Sequence, residues 1–173
     1  MGMWAEWRAQ RERSRRAATY LGRSLRPPEG ADVSWLASLD VPEPVAVREL
    51  VFAKRAIGLI VAERDALDDR TASDVAHQLL QLLSRESRAD VEWGERWRAY
   101  TAALAIRGSV ESPVTRLGRV LLAGAGISEP SADQLARATD FVHQTRSAAN
   151  EALRDVFGVA SLPEDIRPSA LRS

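Results

Sequence analysis

The chain has no cysteine, a single lysine and two histidines among its 173 residues. Without cysteine, disulfides, zinc knuckles, iron–sulfur clusters and a thiol nucleophile are excluded. Two histidines are too few for the usual histidine-rich metal sites. The longest apolar run, Ala56 to Ala62, is too short to span a bilayer, and no apolar stretch typical of a secretory signal follows the start. We therefore expect a cytoplasmic protein without a cofactor, a metal site or integral membrane insertion.

The formal net charge is zero, but the charges are distributed unevenly along the chain. Residues 1–26 hold seven arginines and two glutamates, a net charge of +5, whereas the rest holds 17 basic and 22 acidic residues, a net charge of −5. The asymmetry predicts that the amino-terminal segment meets either an anionic partner or the acidic body of its own chain. Such a partner would be nucleic acid, a lipid surface or the acidic face of another protein.

The fold class follows from helical periodicity, since no stretch alternates as a strand does. Apolar spacing, prolines and capping residues predict helices over about residues 3–25, 44–64, 70–88, 90–107, 113–123 and 132–157. The helix over about 44–64 is apolar on nearly all sides, which is typical of a central helix. We predict an all-α, single-domain bundle of six or seven helices. Its parts are a basic amino-terminal segment over 1–30, the helical bundle over 31–158 and an irregular tail over 159–173.

The helix over about 90–107 has two predicted faces. One face is aromatic and apolar, and it is expected to be buried: Trp93, Trp97, Tyr100 and Leu104. On the other, Glu92 and Arg96 have the spacing of an exposed ion pair worth about 0.3 kcal/mol.

Both histidines occur in similar contexts, Ser-Asp-Val-Ala-His-Gln ending at Gln78 and Thr-Asp-Phe-Val-His-Gln ending at Gln144. The match indicates either a duplicated helical hairpin or a chance similarity. Each context holds an aspartate three residues before the histidine, which on a helix lets the carboxylate reach the imidazole. The pairs lie opposite the apolar stripes: Asp74 with His77, and Asp140 with His143. They are solvated surface pairs or, if two such faces meet, a metal or acid–base site.

Arg137 and His143 have the Arg-x5-His spacing that resembles HEPN-type ribonucleases. The resemblance covers two residues of one helix and implies metal-independent RNA cleavage at a dimer interface. It departs from the family where Ala138 stands in place of the polar residue usual beside the arginine. On an ideal helix of about 3.6 residues per turn, the two side chains also point roughly 120° apart.

The first helix carries indoles and guanidinium groups side by side. A narrow apolar stripe, which Arg11 and Ser14 interrupt in the middle, runs along it: Trp4, Trp7, Ala18, Leu21 and Leu25. Arginine beside tryptophan is typical of contacts with nucleic-acid backbones, lipid headgroups and protein interfaces. Alternatively, the segment packs on its own domain and the arginine stems cover apolar surface. The predicted partner-binding residues are Trp4, Trp7, Arg8, Arg11, Arg15 and Arg16.

Three functions follow from these observations. The leading prediction is a non-catalytic helical interaction module, an accessory subunit that docks on a protein partner or on a second copy of itself. The second is a nucleic-acid-binding accessory subunit that contacts phosphates through Arg8, Arg11 and Arg15. The third is a hydrolase or HEPN-like ribonuclease that uses Asp140 and His143. The sequence contains no P-loop, nucleophile elbow or zinc-peptidase helix, which favours a function without catalysis.

Overall fold

The computed structural model describes residues 3–65, 69–84, 89–106 and 108–158, and this part of the chain forms seven α-helices and no strand. The helices are α1 (Met3–Ser24), α2 (Gly30–Ala37), α3 (Glu43–Asp65), α4 (Asp69–Ser84), α5 (Ala89–Ala105), α6 (Pro113–Gly124) and α7 (Ala132–Phe157). The predicted all-α, single-domain bundle is confirmed. Helix α2 is an addition, since the sequence showed only a short apolar piece there. The tail predicted over 159–173 lies outside the described residues.

Two helix starts have the caps that the sequence predicts. Ser112 precedes α6, and its side chain accepts a hydrogen bond from the backbone of Thr115. Before α7, the Ser131 hydroxyl accepts from the Gln134 backbone while the Gln134 side chain accepts from the Ser131 backbone at 2.8 Å. These bonds satisfy backbone N–H groups that have no partner within the first helical turn.

Helix α3 is the centre of the bundle, as its apolar composition predicts. It packs against each of the other six described helices. Its side chains from Ala56 to Ala62 are all buried, because neighbours surround this stretch on every side.

Helix α5 confirms one prediction and corrects another. Trp93 and Tyr100 are buried, and Trp97 stacks on Trp93 with 5.9 Å between the ring centroids. The predicted pair of Glu92 with Arg96 is wrong. Arg96 binds Glu49 of α3 instead, with its Nε 2.7 Å from the carboxylate, and Glu92 lies 3.9 Å from a different arginine, Arg48. A carboxylate as buried as Glu49 requires a cation, and α5 provides it.

The two hairpins that contain the similar histidine contexts are α3 with α4 and α6 with α7, and their first helices differ in length. Helix α3 has 23 residues before α4, whereas α6 has 12 before α7. Gly58 and Gly124, which are 66 residues apart like the two histidines, also differ in place, because Gly58 lies within α3 and Gly124 is the last residue of α6. These differences argue against a duplicated hairpin.

No helix among the described residues has both the length and the apolarity needed to cross a bilayer.

The backbones of α6 and α7 come close together at Gly118. A Cβ atom there would lie 3.0 Å from the Thr139 nitrogen and 3.1 Å from the Ala138 carbonyl carbon. Glycine therefore sets the spacing of the two helices.

We expect Gly118→Ala to lower the free energy of unfolding by about 1–3 kcal/mol, because the added methyl group overpacks two backbones. The matched control is Gly94→Ala in α5, where a Cβ would meet nothing within 4 Å. That change should raise stability by about 0.5–1 kcal/mol through helix propensity alone. Urea unfolding of both variants measures the difference. Equal changes in the free energy of unfolding of the two variants would contradict the close approach of α6 and α7.

Candidate functional site

The first half of α1 is exposed on all sides. Every residue from Met3 to Arg11 is solvent-accessible, which covers more than two helical turns. Trp4 and Trp7 are 72% and 52% exposed, although their side chains are among the most apolar in the chain. We call residues 3–11 the arm. Large apolar side chains on a helix that no other part of the described chain covers are typical of an interaction surface.

The arm presents its aromatic rings together with guanidinium groups. Trp4 and Trp7 meet edge to face, with 6.1 Å between ring centroids and 79° between ring planes. The Arg11 guanidinium lies over Trp7, 5.2 Å from the ring centroid. Arg8 donates to the Trp4 carbonyl oxygen, at 3.4 Å. Within the described residues, neither Arg8 nor Arg11 forms an ion pair, so both charges remain available to an external carboxylate or phosphate.

The first three arginines after the arm bind carboxylates of their own chain. Arg13 lies 3.5 Å from Asp74 of α4. Arg15 and Arg16 share Glu12, at 3.7 and 3.2 Å. Of the four arginines predicted to bind a partner, Arg15 and Arg16 are thus partly neutralised, whereas Arg8 and Arg11 have no carboxylate partner among the described residues.

The second half of α1 belongs to the bundle. Ala17, Tyr20, Leu21 and Ser24 are buried, and α1 packs against α4 and α7. The Tyr20 hydroxyl donates to the Gly58 carbonyl oxygen of α3 at 2.6 Å. The second half of α1 therefore packs on its own domain, which was one of the two predictions for this segment, whereas residues 3–11 are exposed and partner binding there stays a prediction.

The two Asp/His pairs are not assembled into one site. Asp74 faces Arg13 rather than His77, and the His77 ring nitrogen lies 2.9 Å from the Gln81 amide nitrogen. Asp140 and His143 are both exposed on α7. No group of three or more histidine, aspartate or glutamate side chains among the described residues could hold a metal ion.

Arg137 is engaged away from His143. Its guanidinium donates to Asp32 of α2 at 2.7 Å and lies over the Trp35 ring, 5.4 Å from the centroid. This contact joins α7 to α2 and uses the charge that the ribonuclease resemblance assigns to catalysis. Cleavage through Arg137, Asp140 and His143 stays a prediction from the sequence alone.

A cleft of about 650 Å³ lies at the opposite end of α1 from the arm. Helix α7 forms one wall from Phe141 to Asp155, and the end of α1 with the link to α2 forms the other. Lys54 of α3 lies between the walls and donates to the Arg26 carbonyl oxygen at 2.6 Å. Desolvation lowers the pKa of Lys54, while Glu29 and Asp32 act against that shift.

Some charges in the cleft are paired and others are not. Arg23 binds Asp155 across the walls at 2.9 Å, and Asp32 binds Arg137. Four charged side chains of the lining form no ion pair with any described residue, two of each sign: Arg26, Lys54, Glu29 and Glu151. Sequence reasoning missed the cleft because four separate segments line it, and no local pattern links them. The Ser24 hydroxyl beside it is buried and has no hydrogen-bond partner among the described residues.

Comparison with known proteins identifies no relative. No protein-family model matches the chain, and no curated protein or solved structure is similar to it. The function must therefore be argued from the arm and the cleft themselves.

Proposed function

We propose that the protein is a non-catalytic docking module whose arm binds a groove on a protein surface. The observation that supports this is the exposure of Trp4 and Trp7 on a stretch of helix that no described residue covers. Helices this short are marginal in water on their own, and the second half of α1 extends into the arm and holds it helical. A helix that inserts apolar side chains into a groove is a common mode of recognition, and tryptophan and arginine dominate the energetics of such interfaces.

The geometry of the arm favours a protein partner over nucleic acid or lipid. Arg11 covers one face of the Trp7 ring, and the two indoles meet edge to face, so stacking of successive bases on both rings is hindered. Membrane-surface helices bury a long apolar face. The arm offers only Met3, Trp4 and Trp7 as large apolar side chains, which suits insertion into a pocket.

We expect the double variant Trp4→Ala/Trp7→Ala to weaken docking by at least about 30-fold, which corresponds to about 2 kcal/mol. Its thermal stability should match that of the wild type, because both side chains are exposed in the monomer. Affinity purification from the native host identifies the partner, and titration of the purified pair gives the dissociation constant. Val91→Ala, at an exposed apolar residue of α5, is the matched control and should change nothing.

Two results would contradict docking through the arm. One is a double variant that binds the purified partner as tightly as the wild type. The other is binding to nucleic acid that weakens steeply with salt and is abolished by replacing Arg8 and Arg11 with alanine, which would favour phosphate recognition instead.

A further inference from the structure

We infer that the cleft between α7 and the end of α1 binds a short peptide as a zwitterion, with the carboxylate of the peptide at Lys54 and Arg26 and its ammonium group at Glu151. The inference concerns a second site and does not depend on the docking role of the arm. A volume of about 650 Å³ is within the range of small-ligand sites, and it has room for a peptide of a few residues.

The side of the cleft around Lys54 lacks an anion. The Lys54 ammonium group donates to the Arg26 and Pro27 carbonyl oxygens at 2.6 and 3.4 Å, so one of its three N–H groups has no partner among the described residues. Desolvation and the nearby charge of Arg26 lower the pKa of Lys54, and this direction holds although Glu29 and Asp32 act against it. A bound carboxylate would stabilise both cations.

The Ser24 hydroxyl is a second unsatisfied group beside Lys54. Ser24 lines the cleft and is 8% exposed, and its oxygen has no hydrogen-bond partner within the described part of the chain. It lies against α3 one helical turn from Lys54, since a Cβ atom at Gly58 would be 3.5 Å from the Ser24 Cβ. A buried hydroxyl without a partner is costly, and a carboxylate bound at Lys54 would supply the missing acceptor.

The carboxylates of the lining indicate that the ligand also carries a positive charge. Glu29 lies on the Lys54 side of the cleft, because its charge acts on the pKa of Lys54 and balances one of the two cations there. Glu151 lies on the opposite wall, on α7, and forms no ion pair with a described residue. A simple anion would be repelled by Glu151, whereas a ligand with one charge of each sign pairs with both walls.

The other lining residues favour a peptide over a nucleotide. Phe141 is the one aromatic side chain among the described cleft residues, and it is 3% exposed, so no ring is presented for stacking on a base. The side chains of Gln144 and Thr145 on α7 form no hydrogen bond with a described residue. Amide and hydroxyl groups of this kind suit the amide groups of a peptide backbone.

Calorimetric titration of the full-length protein with three related peptides tests the inference. Trialanine carries both terminal charges, N-acetyl-trialanine lacks the ammonium group, and trialanine amide lacks the carboxylate. We expect trialanine to bind at least about 10-fold more tightly than either blocked peptide, because each block leaves one wall of the cleft without its counter-charge.

Single substitutions assign each end of the peptide. Arg26 and Glu151 are exposed, so replacing either with glutamine should leave the fold intact. Glu151→Gln should abolish the preference for trialanine over the acetylated peptide and keep the preference over the amide, and Arg26→Gln should reduce only the second. Glu129→Gln removes an exposed carboxylate outside the cleft and should change neither preference.

Ser24→Ala distinguishes binding from a structural role of the hydroxyl. Because it removes a buried group without a partner, the melting temperature should not fall, while the affinity for trialanine should fall several-fold. A lower melting temperature with unchanged affinity would overturn the assignment of this hydroxyl to the ligand.

The inference as a whole is overturned by a wild type that binds all three peptides equally or binds none of them. It is also overturned by a Glu151→Gln protein that still prefers a free amino terminus. Free alanine that binds as tightly as trialanine would keep the zwitterion and overturn the peptide. None of these results bears on the arm, whose docking is tested separately by Trp4→Ala/Trp7→Ala.

Discussion

Glu49→Ala is expected to lower the free energy of unfolding by about 3–5 kcal/mol, because it leaves a partly buried arginine without its counter-charge. The Glu49 side chain is 2% exposed and binds Arg96 through two hydrogen bonds, of 2.7 and 2.9 Å. Arg96 also donates to the Gly124 carbonyl oxygen at 3.2 Å. The ion pair thus joins α3, α5 and the end of α6 at one point. Urea unfolding of the purified variant measures the loss.

Two further variants distinguish the contribution of the buried ion pair to the free energy of unfolding from that of an ordinary surface charge. Glu92→Ala removes an exposed carboxylate 3.9 Å from Arg48 and should cost no more than about 1 kcal/mol. The double variant Glu49→Leu/Arg96→Met should be less destabilised than Glu49→Ala, since it removes both charges of the pair and leaves only the half-exposed Arg48, 3.4 Å from Glu49, without that carboxylate. If Glu49→Ala lowered the free energy of unfolding no more than Glu92→Ala does, the ion pair would not hold the three helices together.

The helices were predictable because their signals are local. Ser112 before Pro113 and the Ser131/Gln134 pair mark the starts of α6 and α7, and both caps form as predicted. The apolar composition of α3 likewise indicated a helix surrounded by others. Each of these signals lies within a few residues of the feature that it predicts, so a single sequence is sufficient to detect it.

Long-range polar contacts were not predictable in the same way. The spacing of Glu92 and Arg96 predicted a local pair, but Arg96 binds a carboxylate 47 residues away. Arg137 similarly binds Asp32, 105 residues away, rather than serving a site with its neighbours on α7. Buried carboxylates compete for cations across the whole fold, and helical spacing contains no information about which carboxylates are buried.

The candidate site was predictable only in part. The indoles and arginines of α1 indicated a surface for a partner, and Arg11 and Ser14 interrupt the apolar stripe between Trp7 and Ala18, but the interruption does not tell which half packs on the bundle. The point at which this stripe leaves the bundle depends on how far the neighbouring helices extend. That boundary is a property of the packing, and it separates the exposed Trp7 from the buried Tyr20.

The anchoring of α1 should depend most on Tyr20, and we expect Tyr20→Ala to cost about 3–5 kcal/mol of stability, as for other large aromatic side chains removed from a core. The ring is fully buried, with its centroid 6.4 Å from that of Phe157, and its hydroxyl donates to the Gly58 carbonyl oxygen. Chemical denaturation gives the loss, and hydrogen exchange should show faster exchange of the α1 amides than of those in α6.

Tyr20→Phe removes only the hydroxyl and is the matched control for the ring. It leaves the buried Gly58 oxygen without this donor, so we expect a loss of about 1–2 kcal/mol and unchanged exchange in α1. The second half of α1 keeps the arm helical only while it is packed on the bundle. Tyr20→Ala should therefore also weaken docking, although Trp4 and Trp7 remain. A Tyr20→Ala protein that exchanges and docks like Tyr20→Phe would show that the ring does not hold α1, and that the arm is positioned by Ala17 and Leu21 instead.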